Sequence, residues 1–111
     1  MVVHVVLLKP RPGVSADERR RFVAAFDRAT REIPSVRNVR VGARVRHGAG
    51  YEAAMPDTVE FLATIDFDDL AGLQAYLGHP AHDELGRLFG EVLSSALVYD
   101  FELGPLESLS A

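Results

Sequence analysis

The sequence predicts an α+β domain whose elements run strand, helix, strand, strand, helix, strand. Three observations predict it. Residues 2–9 are apolar on both sides of a two-residue alternation, as in a strand covered on both faces. Two longer segments, 16–33 and 69–93, carry apolar residues at the three- and four-residue spacing of helices. Segments 39–46, 58–67 and 96–103 return to the period of strands.

In the first strand Val3, Val5 and Leu7 face one way and His4, Val6 and Leu8 the other; His4 is the only polar side chain within the run. Pro10, Pro12 and Gly13 close it. Ser15 and Glu18 then have capping-box spacing, and Phe22, Phe26, Ala29 and Ile33 form the stripe of a helix that Pro34 ends. Arg19, Arg20 and Arg21 read as its solvated side. From Val39 to Arg46 the pattern puts Val39, Val41, Ala43 and Val45 on a buried face and Arg40, Gly42, Arg44 and Arg46 on a wet one. Residues 47–57 read as a loop, with His47 solvated. The third strand, Thr58 to Phe67, aligns Val59, Phe61, Ala63, Ile65 and Phe67 on one face. Asp68 or Asp69 caps the next helix, whose stripe is Leu70, Leu73 and Leu77.

That helix is interrupted at His79-Pro80-Ala81-His82. Proline disfavours helix at the residue before it, so the first piece ends near Gly78; Pro80 suits the first position of a second piece, with His79 as its cap. Leu85, Leu88, Phe89 and Val92 continue at helical spacing. The fourth strand, Ala96 to Leu103, places Leu97, Tyr99, Phe101 and Leu103 on one face. Residues 104–111 read as a loosely held tail, so a single domain spans residues 1–111 around a core of 2–103.

The net charge of −4 gives no reason to expect nucleic acid or an anionic membrane as partner. The absence of cysteine excludes disulfides, thiolate metal sites and cysteine nucleophiles. No apolar run is long enough to span a bilayer, and residues 1–8 lack the basic start and cleavage site of a signal peptide, so a cytoplasmic location is expected. The element order is the ferredoxin-like, split βαβ pattern, a sheet with two helices on one face. Its other face, with Val3, Val5, Leu7, Leu97, Tyr99 and Phe101, is too apolar for a monomer. A homodimer that buries two such faces against each other, a dimeric α+β barrel, is the expected remedy.

The chain resembles the stress-responsive α/β-barrel domain family, one of the dimeric α+β barrel proteins, over about residues 2–103. The resemblance rests on the first strand Val3-His4-Val5-Val6-Leu7-Leu8-Lys9, the turn Ile33-Pro34-Ser35-Val36, Tyr76 with His79-Pro80-Ala81-His82, and Tyr99-Asp100-Phe101. It implies the fold and the dimer. Members similar to this chain that cyclise polyketides have a cavity between helices and sheet, and the resemblance places His4, Tyr76 and His82 in it. Those cyclases also carry a histidine on the third strand, where this chain has Phe61.

On chemical grounds His82 lies in the first turn of a helix, where the dipole favours the neutral imidazole that a general base requires. Tyr76 can hold that imidazole or polarise a carbonyl. His79 and His82 have an i, i+3 spacing open to a metal, but the capping role of His79 argues against one. Phe22, Val23, Phe26, Phe61, Ala63, Ile65, His79, Ala96 and Val98 are candidate lining residues of the apolar cavity; most serve equally well as core. The expected function is acid–base chemistry by His82, Tyr76 and His4, of cyclase or lyase type, on a small carbonyl-bearing polyketide or aromatic compound. It needs no metal, flavin or nicotinamide, and no phosphate-binding glycine loop is seen. The alternatives are a non-catalytic homodimer that binds a small ligand or protects under stress, and a cofactor-free oxygenase-like barrel protein.

Overall fold

A computed structural model describes residues 1–110. Its elements are β1 (Val2–Pro10), α1 (Ala16–Glu32), β2 (Asn38–Ala43), β3 (Phe61–Phe67), α2 (Leu70–Leu77), α3 (Pro80–Val92) and β4 (Leu93–Glu102). Short 3-10 helices occupy Gly50–Ala54 and Leu106–Ser110. The four strands form one antiparallel sheet of order β2-β3-β1-β4, which is the ferredoxin-like α+β fold predicted from the element order. No helix is long and apolar enough to cross a membrane.

Strand register decides what each face carries. His4 lies between Ile65 and Asp100, and Val6 between Ala63 and Val98, all on the helix side. Val5 lies between Thr64 and Tyr99, and Leu7 between Leu62 and Leu97, on the open side. The capping box forms at the start of α1: the Glu18 N–H donates to Ser15 Oγ at 3.1 Å, and the Ser15 N–H donates to Glu18 Oε1 at 3.2 Å. The core lies between sheet and helices, where Ile65 and Phe67 meet Ala29, Ile33, Leu73, Tyr76, Ala81, Leu85 and Leu88. Ser35 in the turn after α1 donates to the Gly72 carbonyl at 2.7 Å and ties that turn to α2.

Several sequence expectations are corrected. The valines expected on the buried face of the second strand are not buried: Val41 is 74% exposed, and Val45, past the end of β2, 75%. Their parity is as expected, but β2 is an edge strand and α1 packs chiefly against α3, so no helix lies over it. The strand also stops at Ala43 instead of Arg46. β3 begins at Phe61, not Thr58; the Val59 and Glu60 carbonyls accept bonds from Arg44 instead. β4 begins at Leu93, directly from α3, with a register shift at Pro10 where the proline has no N–H to give to the ladder. In α2 only Leu73 of the leucine stripe is buried; Tyr76, three residues on, takes the inward position instead of Leu70 or Leu77. In the tail a 3-10 helix spans Leu106–Ser110 with no buried residue, and Ala111 lies outside the described residues.

Phe67 is fully buried between Tyr76 and the rest of the core. Phe67→Ala should therefore lower the unfolding free energy by about 3–5 kcal/mol in urea titration. A change below about 1 kcal/mol would mean that this core collapses around the cavity.

Candidate functional site

The break between α2 and α3 builds the site. The Gly78 N–H donates to the Gln74 carbonyl at 3.1 Å and the His79 N–H to the Tyr76 carbonyl at 3.2 Å, which closes α2. Pro80 starts α3, and His79 Nδ1 accepts the Ala81 N–H at 3.0 Å as its cap. On one continuous helix, side chains six residues apart would diverge by about 120°. Here the Tyr76 and His82 rings meet edge to face, with centroids 4.8 Å apart. His4 approaches Tyr76 in the same manner at 5.7 Å, so β1, α2 and α3 each contribute one ring to a single row.

His4 is buried, and its Nδ1 lies 2.6 Å from Asp100 Oδ1 on the neighbouring strand. An ionised carboxylate only accepts, so His4 Nδ1–H donates to Asp100. Desolvation, followed by the nearby His4 charge, pushes the pKa of His82 below its usual 6.5; the Asp83 charge and the Leu77 carbonyl oppose this. Burial pushes the Tyr76 phenol up to about 12. At neutral pH the row therefore presents a neutral imidazole at His82 and a protonated phenol at Tyr76, which is the pairing acid–base chemistry needs.

The apolar cleft is a separate place. It has a volume of about 610 Å³ and lies between α1 and the β2–β3 edge. Phe22, Val23, Phe26, Phe61 and Ala63 line it, together with the uncovered Val39 and Val41. The remaining candidates do not. Ile65 is fully buried in the core, His79 is spent as a helix cap, and Ala96 and Val98 are exposed on the edge strand β4. His4, Tyr76 and His82 do not line the cleft either: the row of rings and the cleft are separate places. Phe26 and Phe89 pack against both the core around Tyr76 and the smaller cluster of Val6, Leu8 and Ala63, and so fill the space between. A second depression, of about 380 Å³, lies between the start of α2 and the ends of β1 and β4, and Asp100 forms part of its wall.

Asp100 is the member of the site that the sequence reading did not select. The signal was available: alternation through Ala96 and Val98 carries Asp100 onto the helix side, the side of His4. Recognising the pair required the register of β1 against β4, which a single strand pattern does not supply.

Comparison with known proteins places the fold. The model of the Stress Responsive A/B Barrel Domain matches residues 2–103. An Arabidopsis thaliana protein structure is similar over 96% of this chain and 98% of its own, with 21% identity and a TM-score of 0.79. A dimeric ferredoxin-like protein of unknown function from Thermobifida fusca is 24% identical over 92% of this chain and 90% of its own, with a TM-score of 0.70. A hydroxynitrile lyase from Passiflora edulis is 14% identical over 93% of both chains, with a TM-score of 0.75. No curated protein gives a significant match.

The pKa shift of His82 has a measurable sign. Folding lowers this pKa, so the unfolded chain binds the proton more tightly. The stability that neutral His82 contributes is fully present above pH 6.5 and is lost as pH falls through the lower folded value. An NMR titration should find the His82 ring titrating below 6.5, and His82→Gln should flatten the decline of Tm on acidification in this window. A ring titrating above 6.5 would contradict the neutral base.

Proposed function

From the premise that the chain belongs to the stress responsive A/B barrel domain family, we propose that it is a cytoplasmic homodimeric enzyme that moves a proton next to the carbonyl of a small apolar or aromatic molecule of polyketide type. The observation that carries this reading is the row His4–Tyr76–His82, in which a neutral imidazole at His82 meets a protonated phenol at Tyr76. Neutral His82 takes the proton from the carbon beside the carbonyl. The Tyr76 phenol donates a hydrogen bond to the oxygen on which negative charge develops. Asp100 orients the His4 ring, and His4 in turn supports one edge of Tyr76. The cleft between α1 and β2–β3 supplies the apolar surface that holds the remainder of the molecule. The carbonyl reaches the row when Phe26 and Phe89 turn aside, since these two rings stand between cleft and row. The hydroxynitrile lyase among the structural neighbours is an enzyme of this same fold.

The separation of cleft from row favours one other reading, a protein that holds an apolar ligand without altering it. Exchange of α-carbon protons in D2O distinguishes the two, with aryl methyl ketones as probes. The enzyme reading expects exchange above the buffer rate, a loss of about 10²–10⁴-fold in His82→Ala, and a smaller loss in Tyr76→Phe, with probe binding retained. Probe binding without any accelerated exchange would leave the binder.

The dimer supports this reading through the open sheet face. Leu62, Leu97, Tyr99 and Phe101 there are 39–53% exposed in the subunit, and neighbours from Thermobifida fusca and Jannaschia are described as dimeric. Light scattering should give a dimer at micromolar concentration, and Val5→Asp or Tyr99→Asp should give a monomer. A wild-type monomer would remove the barrel from the reading.

A further inference from the structure

We propose that the molecule held in the cleft is a long-chain oxo acid: Arg19 binds its carboxylate at one end of the cleft, and its apolar chain runs between α1 and the β2–β3 edge with the reacting carbonyl near the other end. The inference rests on the reading of the cleft given under the proposed function and adds to it the charge, direction and length of the ligand.

One charge in the cleft wall is unmatched. The wall is apolar except for Arg19, Asp27 and Thr30, all on α1. The Thr30 hydroxyl is engaged by the Phe26 and Asp27 carbonyls, at 3.1 and 3.0 Å. The Asp27 carboxylate is met by Arg31 at 2.9 Å. The other arginines of α1 are paired as well, Arg20 and Arg21 with Asp17 and Arg28 with Glu32. Arg19 alone on this helix has no ion pair among the described residues, and it is the one that lines the cleft. A guanidinium stays charged at any physiological pH, and its planar fork fits a carboxylate through two parallel hydrogen bonds. A single exposed ion pair is weak by itself, but here an apolar wall begins beside the charge and holds the chain attached to it.

Strand register sets the direction of that chain. Arg11, just past β1, pairs with Glu18 at 3.1 Å, so Arg19 stands at the end of the cleft where β1 closes. Leu8, Phe61 and Ala43 mark that end, opposite one another across the sheet. At the other end Val39 is level with Ile65 and His4. The strand advances about 13 Å from Ala43 to Val39, and α1 about 16 Å from Arg19 to Thr30. A carboxylate on Arg19 therefore sends its chain along this length toward the level of His4, where Phe26 and Phe89 stand before the row. The reverse orientation would bring the carboxylate to Asp27, a like charge. Anchor and row thus lie at opposite ends, and a ligand that serves both has its carbonyl many methylenes from its carboxylate.

The test is calorimetric titration of the full chain with 9-oxodecanoate and with its methyl ester, which keeps chain and ketone but not the charge. The wild type should bind the carboxylate about 3–10-fold more tightly than the ester at low salt, and the preference should shrink at high salt. Arg19→Gln should abolish the preference and leave ester binding unchanged, Arg19→Lys should keep part of it, and Arg20→Gln all of it. Arg19 and Arg20 are exposed, so circular dichroism should be the same in every variant. Equal binding of acid and ester by the wild type, or a preference that survives Arg19→Gln, would overturn the carboxylate anchor while leaving the cleft as a ligand site. Binding of neither molecule would overturn the anchor and the role of the cleft together. Selective binding without exchange of the α-carbon protons would uphold the anchor and remove the enzyme reading alone.

Discussion

The constraint on which the site depends is a missing hydrogen. Pro80 has no N–H to offer the turn before it, so the helix that begins at Leu70 cannot run on to Val92. The chain instead closes one helix on Gly78, spends the His79 ring as a cap, and starts again. The new axis carries Leu85, Leu88 and Val92 into the core and brings His82 onto the ring of Tyr76. Tyr76, pinned by Phe67 on β3 and His4 on β1, is the point where both helical pieces and the sheet touch. Packing and candidate chemistry thus share one residue, and its near-complete burial accounts for both its rigidity and its high pKa.

What the sequence made legible was whatever depends on local periodicity or on a backbone rule. The alternation of β1 assigned His4 to the helix side, Ser15 and Glu18 announced α1, and Pro80 announced the break with its cap. What it did not make legible depends on which elements come to lie over which. The pattern of β2 is that of a half-buried strand, yet its valines are exposed because α1 leans on α3 and leaves the edge bare. Ala96 and Val98 have the parity of lining residues but sit on the opposite edge of the sheet, beyond the cleft. The partner of His4 is 96 residues away, and only the register of β1 on β4 brings the two together.

The open side of the sheet shows the same dependence from the other direction. Asp66 on β3 faces that side, is buried among its neighbours and leaves Oδ1 without a hydrogen bond, while Oδ2 lies 3.6 Å from the Arg40 guanidinium. A carboxylate so placed is costly in a solitary subunit and favours surroundings that bring a further donor. With the exposed Tyr99 and Phe101 nearby, it makes this face the least self-sufficient part of the fold.

Phe26 and Phe89 pack between the apolar cleft and the packed row of His4, Tyr76 and His82. Val23 and Val41 line the cleft, and His4, Tyr76 and His82 do not. Under the proposed function, a substitution at either valine would therefore change which molecule is held and leave the row of rings in place, so that ligand choice and proton transfer could vary independently on this fold.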